Sequence, residues 1–164
     1  MHVSPLRLEG YYVKELHFSL QTKWKVESDY PALIAAKDIA VIIVAGQHKE
    51  NGRERFFEVT IELQKQALRR YPYNFRTTLV GYFEISERFP AEHAETMVNA
   101  NAPALLYSAA RELIASTTGR GPLPALTLPS VTFIQTPNSR RAPAKSSRSG
   151  NETTRTARKK KRAK

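Results

Sequence analysis

The stretch from Pro103 to about Thr118 carries more apolar surface than one packing partner can cover. At about 100° per residue, Leu105, Leu106, Ala109, Ala110, Leu113 and Ile114 together fill about 180° of a helix circumference. A helix lying on a single surface needs an apolar stripe of roughly 100°. A helix here must therefore meet two neighbours. Its start is read at Asn101-Ala102-Pro103, because proline at the first helical position gives up an N–H that has no partner anyway. Its end is read at Gly119-Arg120-Gly121-Pro122, with glycine in a left-handed cap and a proline that cannot continue the helix. A separate short helix is expected over 91–98, after Pro90.

The rest of the body reads as strands. Residues 11–20 alternate, with Tyr12, Leu16, Phe18 and Leu20 on one face, interrupted by Lys14. Residues 39–47 are β-branched and apolar on both faces, the pattern of a central strand. Asn51-Gly52 follows as a hairpin signal. In 56–64, Phe57, Val59, Ile61 and Leu63 point one way and Glu58, Thr60, Glu62 and Gln64 the other. Tyr71-Pro72-Tyr73-Asn74 marks a turn. Residues 75–86 then carry Leu79, Gly81, Phe83 and Ile85 on one face. Hairpin-length links after the first connection favour an antiparallel sheet. The expected class is α+β: a four-stranded antiparallel sheet packed against one long helix.

Area arithmetic gives the same surplus as the helix. Four strands at ~4.8 Å spacing make a sheet about 19 Å wide, and a helix is only ~10–12 Å across. Half of the apolar face would stay open, and a symmetric partner closes it most simply. The alternative cover is Phe89, Met97, Val98 and the extended segment 123–134. Leu105, Leu106, Ala109, Ala110, Leu113 and Ile114 are the expected oligomer contacts.

The charge is concentrated at one end. Residues 1–139 hold fifteen Lys/Arg and fourteen Asp/Glu, and residues 140–164 hold eleven Lys/Arg against Glu152 alone. From Pro137 the chain lacks apolar periodicity, and a disordered basic tail is expected over 137–164 after a domain over 1–136. Its run Arg158-Lys159-Lys160-Lys161-Arg162 could contact a polyanion without reading sequence. It lacks the interleaved aromatics of a single-strand binder.

Catalytic and metal signatures are missing from the pattern. There is no cysteine. His2, His17, His48 and His93 lie far apart without metal-ligand spacing. Glu58 and Glu62 sit with Thr60 and Gln64 on what reads as a solvated face. Gly119-x-Gly121 follows a helix, the wrong context for phosphate binding. Neither an enzyme nor a cofactor is expected. No apolar run approaches the ~20 residues of a membrane helix, and the N-terminus lacks a signal-peptide pattern. A cytoplasmic protein without membrane insertion is expected.

A longer pattern points to a family. Ala110-Arg111-Glu112, Arg120-Gly121, Pro124, Leu126, Leu128, Val131 and Phe133 occur in the order found in the SecB protein-export chaperones, with Ser130 standing where that family has Pro before Val. Gly81-Tyr82-Phe83 resembles the family's last strand, and the run Tyr12 to Phe18 its first. The resemblance spans about residues 11–134. It implies a dimer of dimers with helices sandwiched between sheets, and a holdase that binds unfolded polypeptides, such as preproteins, and delivers them to the SecA motor. The client groove is expected from the aromatic and apolar residues of the connections, Trp24, Val26, Tyr30, Leu33, Ile34, Tyr71 and Tyr73. The resemblance also implies motor contacts through acidic groups on the sheet. Glu15 keeps one of these, Ser19 replaces another and Arg76 reverses a third. The family's usual form is acidic and ends in a second helix and an acidic tail, neither of which follows Phe133 here. A SecB-like chaperone serving one partner, such as an antitoxin, is the alternative, and a nucleic-acid binder acting through the tail is another.

Overall fold

A computed structural model describes residues 4–21, 24, 30–48 and 51–134. Val26 and the basic segment 137–164 lie outside them. Four strands form one antiparallel sheet: β1 Leu6–Leu20, β2 Ile39–Gln47, β3 Glu54–Leu63 and β4 Tyr73–Ile85. Their order is β1-β4-β3-β2. The helix α1, Ala91–Thr118, lies on one face. The four-stranded α+β architecture is the one expected.

The order corrects one reading. β2 is an edge strand, not a central one. Its apolar residues on both faces suggest burial, yet Ile42, Ile43 and Val44 are exposed. Alternation and apolarity report a strand's faces; they carry no information about its neighbours.

β1 corrects another. Its register against β4 shifts between Leu8 and Gly10 and again between Val13 and Glu15. The second bulge contains Lys14, the residue that interrupts the alternation. A bulge adds one residue and reverses the facing of the residues after it. Tyr12 therefore pairs with Val80 on the outer face, whereas Leu16 and Phe18 pair with Thr77 and Phe75 on the helix side. Tyr11 and Val13, opposite Gly81 and Leu79, also face the helix side.

α1 is one continuous helix of 28 residues, about 42 Å long. The separate helix over 91–98 and the start at Pro103 are not observed. Pro103 sits inside α1 and costs roughly 3 kcal/mol. Continuous burial outweighs it: Ala94, Val98, Ala102, Leu106, Ala110 and Ile114 all lie against the core. The C-terminal glycine reading also fails. Gly119 has φ −67° and ψ −15°, an ordinary right-handed geometry. A Cβ there would lie 3.0 Å from the Ala115 carbonyl, so close packing explains the small residue. Gly81 has a similar role on the sheet, because a Cβ would lie 2.7 Å from Leu106 Cδ2.

The helix is not the only cover. After α1 the chain folds back, burying Leu123, Leu126 and Leu128. Thr127 forms a parallel bridge with Leu33. Phe89, Met97, Val131 and Phe133 pack at the margin. The alternative cover thus contributes substantially. What stays open on the helix side is β1, where Tyr11, Val13, Leu16 and Leu20 are each 41–51% exposed.

Candidate functional site

The six helix residues expected at an oligomer contact split into two groups. Leu106, Ala110 and Ile114 have no exposed surface. They pack on this chain's own sheet and are unavailable to a second copy, which corrects their assignment. Leu105 is exposed, and Ala109 and Leu113 are partly so. These form the second stripe. It lies on the same side of the sheet as the open residues of β1.

The expected client residues split as well. Ile34, Tyr71 and Tyr73 are buried and cannot line an open groove. The Tyr71 hydroxyl donates to Asp38 Oδ2 at 2.8 Å and accepts from the Ala35 N–H at 3.0 Å. Burial raises the phenol pKa, and the Asp38 hydrogen bond adds to the rise. Asp38 is itself buried, and Arg70 stands 2.8 Å from its other oxygen as a Coulombic partner. The Tyr73 hydroxyl meets the Thr118 and Leu123 carbonyls, each at 3.2 Å. A loop tyrosine read as a flat binding surface is here a polar anchor, which joins the connection before β2 and the end of α1 to the sheet. Tyr71→Phe is expected to lower stability by about 1–3 kcal/mol, because it removes a hydrogen bond from a buried carboxylate. Urea unfolding monitored by circular dichroism measures it.

Trp24, Tyr30 and Leu33 stay accessible to different degrees. Trp24 and Tyr30 meet edge to face at 5.7 Å. The Tyr30 hydroxyl donates to the Pro124 carbonyl at 2.8 Å, and burial raises its pKa. Leu33 is 59% exposed. Backbone bonds Ile34 N–H to Thr127 O, 2.9 Å, and Thr127 N–H to Ala32 O, 2.8 Å, clamp this connection to the returning segment. The Tyr107 hydroxyl holds the same segment at the Pro129 carbonyl, 2.8 Å.

The feature that sequence reasoning missed is the β2 edge. Residues 39–47 contain no charge and no proline, and their register with β3 is unbroken. Proteins usually blunt edge strands with lysine, proline or bulges. β1, the other edge, has two bulges and Lys14, whereas β2 has none of these devices. The uncharged run is the available signal, and by itself it reads equally well as a central strand.

The outer face of the sheet carries Glu15, Glu58 and Glu62, each held by a cation of this chain. Arg76 reaches Glu15 at 3.2 Å and Glu62 at 2.8 Å. Lys14 reaches Glu58 at 2.7 Å. The Glu15 hydrogen bond and charge, with the charge of Glu62, raise the Arg76 pKa. Thr60 and Thr78 share a buried hydroxyl contact of 2.9 Å at the centre of this face. Among the described residues no group of three or more His, Asp or Glu is placed to hold a metal. No helix among them is long and apolar enough to cross a membrane.

Comparison with known proteins agrees with this architecture. The family described as "Preprotein translocase subunit SecB" matches residues 2–142. No curated protein matches by sequence. Among solved structures, a SecB-like chaperone of Mycobacterium tuberculosis, in complex with a ChAD peptide from the HigA1 antitoxin, superposes with a TM-score of 0.54. It is 15% identical, over 77% of this chain and 88% of that one. A protein of unknown function from Streptococcus agalactiae gives 0.48 at 15% identity, over 76% and 97% of the two chains. With its four-stranded sheet, the long helix α1 and a family match over most of its length, the chain belongs to the SecB family of chaperones.

Proposed function

We propose that this chain is a holdase that takes up extended apolar segments of unfolded polypeptides along the β2 edge. The carrying observation is that edge: an uncharged, unbulged strand with Ile42 at 49% and Val44 at 52% exposure on one face and Ile43 on the other. An added strand would gain main-chain hydrogen bonds whatever its sequence, and apolar contacts on alternate side chains. This chemistry needs no cofactor. Trp24, Tyr30 and Leu33, on the connection that leads into β2, extend the apolar surface.

A client dedicated to this chaperone is favoured over delivery to the SecA motor. Glu15, the retained acidic position, is paired with Arg76, and Glu58 and Glu62 are paired as well. A basic partner would have to displace these cations. The Mycobacterium relative was solved with an antitoxin peptide, which supports a single polypeptide partner as the form such a client takes. The working unit we propose is an oligomer that joins the open inner face of β1 to Leu105, Ala109 and Leu113.

The test is suppression of aggregation of a chemically unfolded model protein, without ATP. The double variant Ile42→Lys/Val44→Lys places two charges on the edge and leaves the core untouched. Apparent client affinity is expected to fall at least about tenfold, or about 1.4 kcal/mol, with unchanged circular dichroism. Equal protection by the variant would remove the edge from the mechanism. No protection by the unmodified chain would remove the holdase reading itself.

A further inference from the structure

The outer face has a feature that the client reading does not use. One row of residues runs across all four strands: Gly10 on β1, Tyr82 on β4, Phe56 on β3 and Gly46 on β2. Two aromatic rings thus stand between two glycines. The Phe56 ring lies over Gly46, in the space a Cβ would occupy. Tyr82 is 50% exposed, and Tyr12 stacks on it at 6.4 Å and 29°. Beside this row lies an open groove of about 740 Å³.

Its rim is acidic. Glu9, Glu54 and Glu84 line it. Arg7 pairs with both Glu9 and Glu84, so a single cation serves two of the three carboxylates. Arg7 itself stands outside the lining, and Arg55, which lines the groove with His48, turns to Glu95 at 3.0 Å. An aromatic floor with carboxylates at its edge suits ammonium and guanidinium groups on long alkyl stems: the stems cover the rings, the charges meet ring faces and carboxylates.

We infer that this groove is the docking site of the chain's own basic segment, centred on Arg158-Lys159-Lys160-Lys161-Arg162. Charge complementarity selects it. Residues 1–139 are nearly neutral, and the last twenty-five residues carry eleven Lys/Arg against one Glu. Length permits it. The described chain ends at Ile134, and the twenty-four residue steps from there to Arg158 can span up to about 80 Å. The longest strand of the sheet, the fifteen residues of β1, spans only about 51 Å. The contact is electrostatic at its rim and therefore salt-sensitive. It does not depend on the client reading, since that reading rests on Ile42, Ile43 and Val44, whereas docking here rests on Glu9, Glu54, Glu84, Phe56 and Tyr82.

The chain contains no cysteine, so a spin label on Lys160→Cys in the full-length protein reports the docking position. The expected result is paramagnetic broadening of the Gly10, Phe56 and Tyr82 amide signals above that of the helix-side residues. It should fall several-fold in about 0.5 M salt, where the Debye length is about 4 Å. A similar fall is expected in the triple variant Glu9→Gln/Glu54→Gln/Glu84→Gln. These residues are exposed or partly so, and unchanged shifts elsewhere would verify the fold. Broadening spread evenly, or centred on another surface, overturns the inference. So does broadening that ignores both salt and the triple variant. A mixed sample, with the label on one chain and the isotope on another, adds a further arm. Broadening of equal size there would assign the contact to a second copy and overturn docking within the chain.

Discussion

Leu106→Glu is expected to abolish the folded state. Leu106 has no exposed surface and closes on Gly81 at the centre of the helix–sheet contact. Losing the leucine packing alone costs roughly 2–5 kcal/mol. A carboxylate there would lack a partner, and its desolvation adds several kcal/mol. The total reaches the ~5–15 kcal/mol that holds a typical domain together. The measurement is circular dichroism with thermal unfolding, where the cooperative transition should vanish. A folded monomer would show instead that Leu106 faces another subunit. Ile114→Glu should behave in the same way, two turns further along the same helix face.

Leu105→Glu, one residue away, is expected to do something different. It lies on the second stripe of α1 and is 44% exposed. Paired with Val13→Glu, which is 41% exposed on the open inner face of β1, it should convert an oligomer into a folded monomer. Each apolar side chain buried between subunits contributes roughly 1.5–3 kcal/mol, and an isologous contact uses each position twice. Two substitutions per chain therefore remove four such contacts and introduce four like charges. Light scattering after size exclusion reads the mass, and circular dichroism the fold. An unmodified protein that is monomeric at micromolar concentration would end the oligomer proposal. A double variant with unchanged mass would move the interface elsewhere.

The contrast between Leu105 and Leu106 also shows how far one sequence reaches. Periodicity places both on an apolar helix and establishes that two neighbours are needed. It does not say which neighbour is intramolecular, because a helical wheel has no knowledge of where the sheet lies. The same holds for the tyrosines. Tyr71 and Tyr73 sit in a turn beside proline, where exposed rings are reasonable. Only the fold brings Asp38, Ala35, Thr118 and Leu123 to their hydroxyls, and those partners lie far away in the chain.

The sequence alone determined the local and the summed quantities: four strand segments, three of them alternating, their hairpin links, a long apolar helix, an apolar surplus over one helix's cover and the ordered family pattern ending at Phe133. These come from periods of 2 and 3.6 and from areas, which need no knowledge of neighbours. Tertiary structure decided the rest. It made β2 an edge, since strand order comes from the long connection between β1 and β2, and no periodicity encodes that connection. It turned Tyr12 to the outer face through the bulge at Lys14. It carried α1 through Pro103, because continuous burial on the sheet is worth more than one lost hydrogen bond and its local clash. In each case a long-range contact outweighed a local preference of a few kcal/mol.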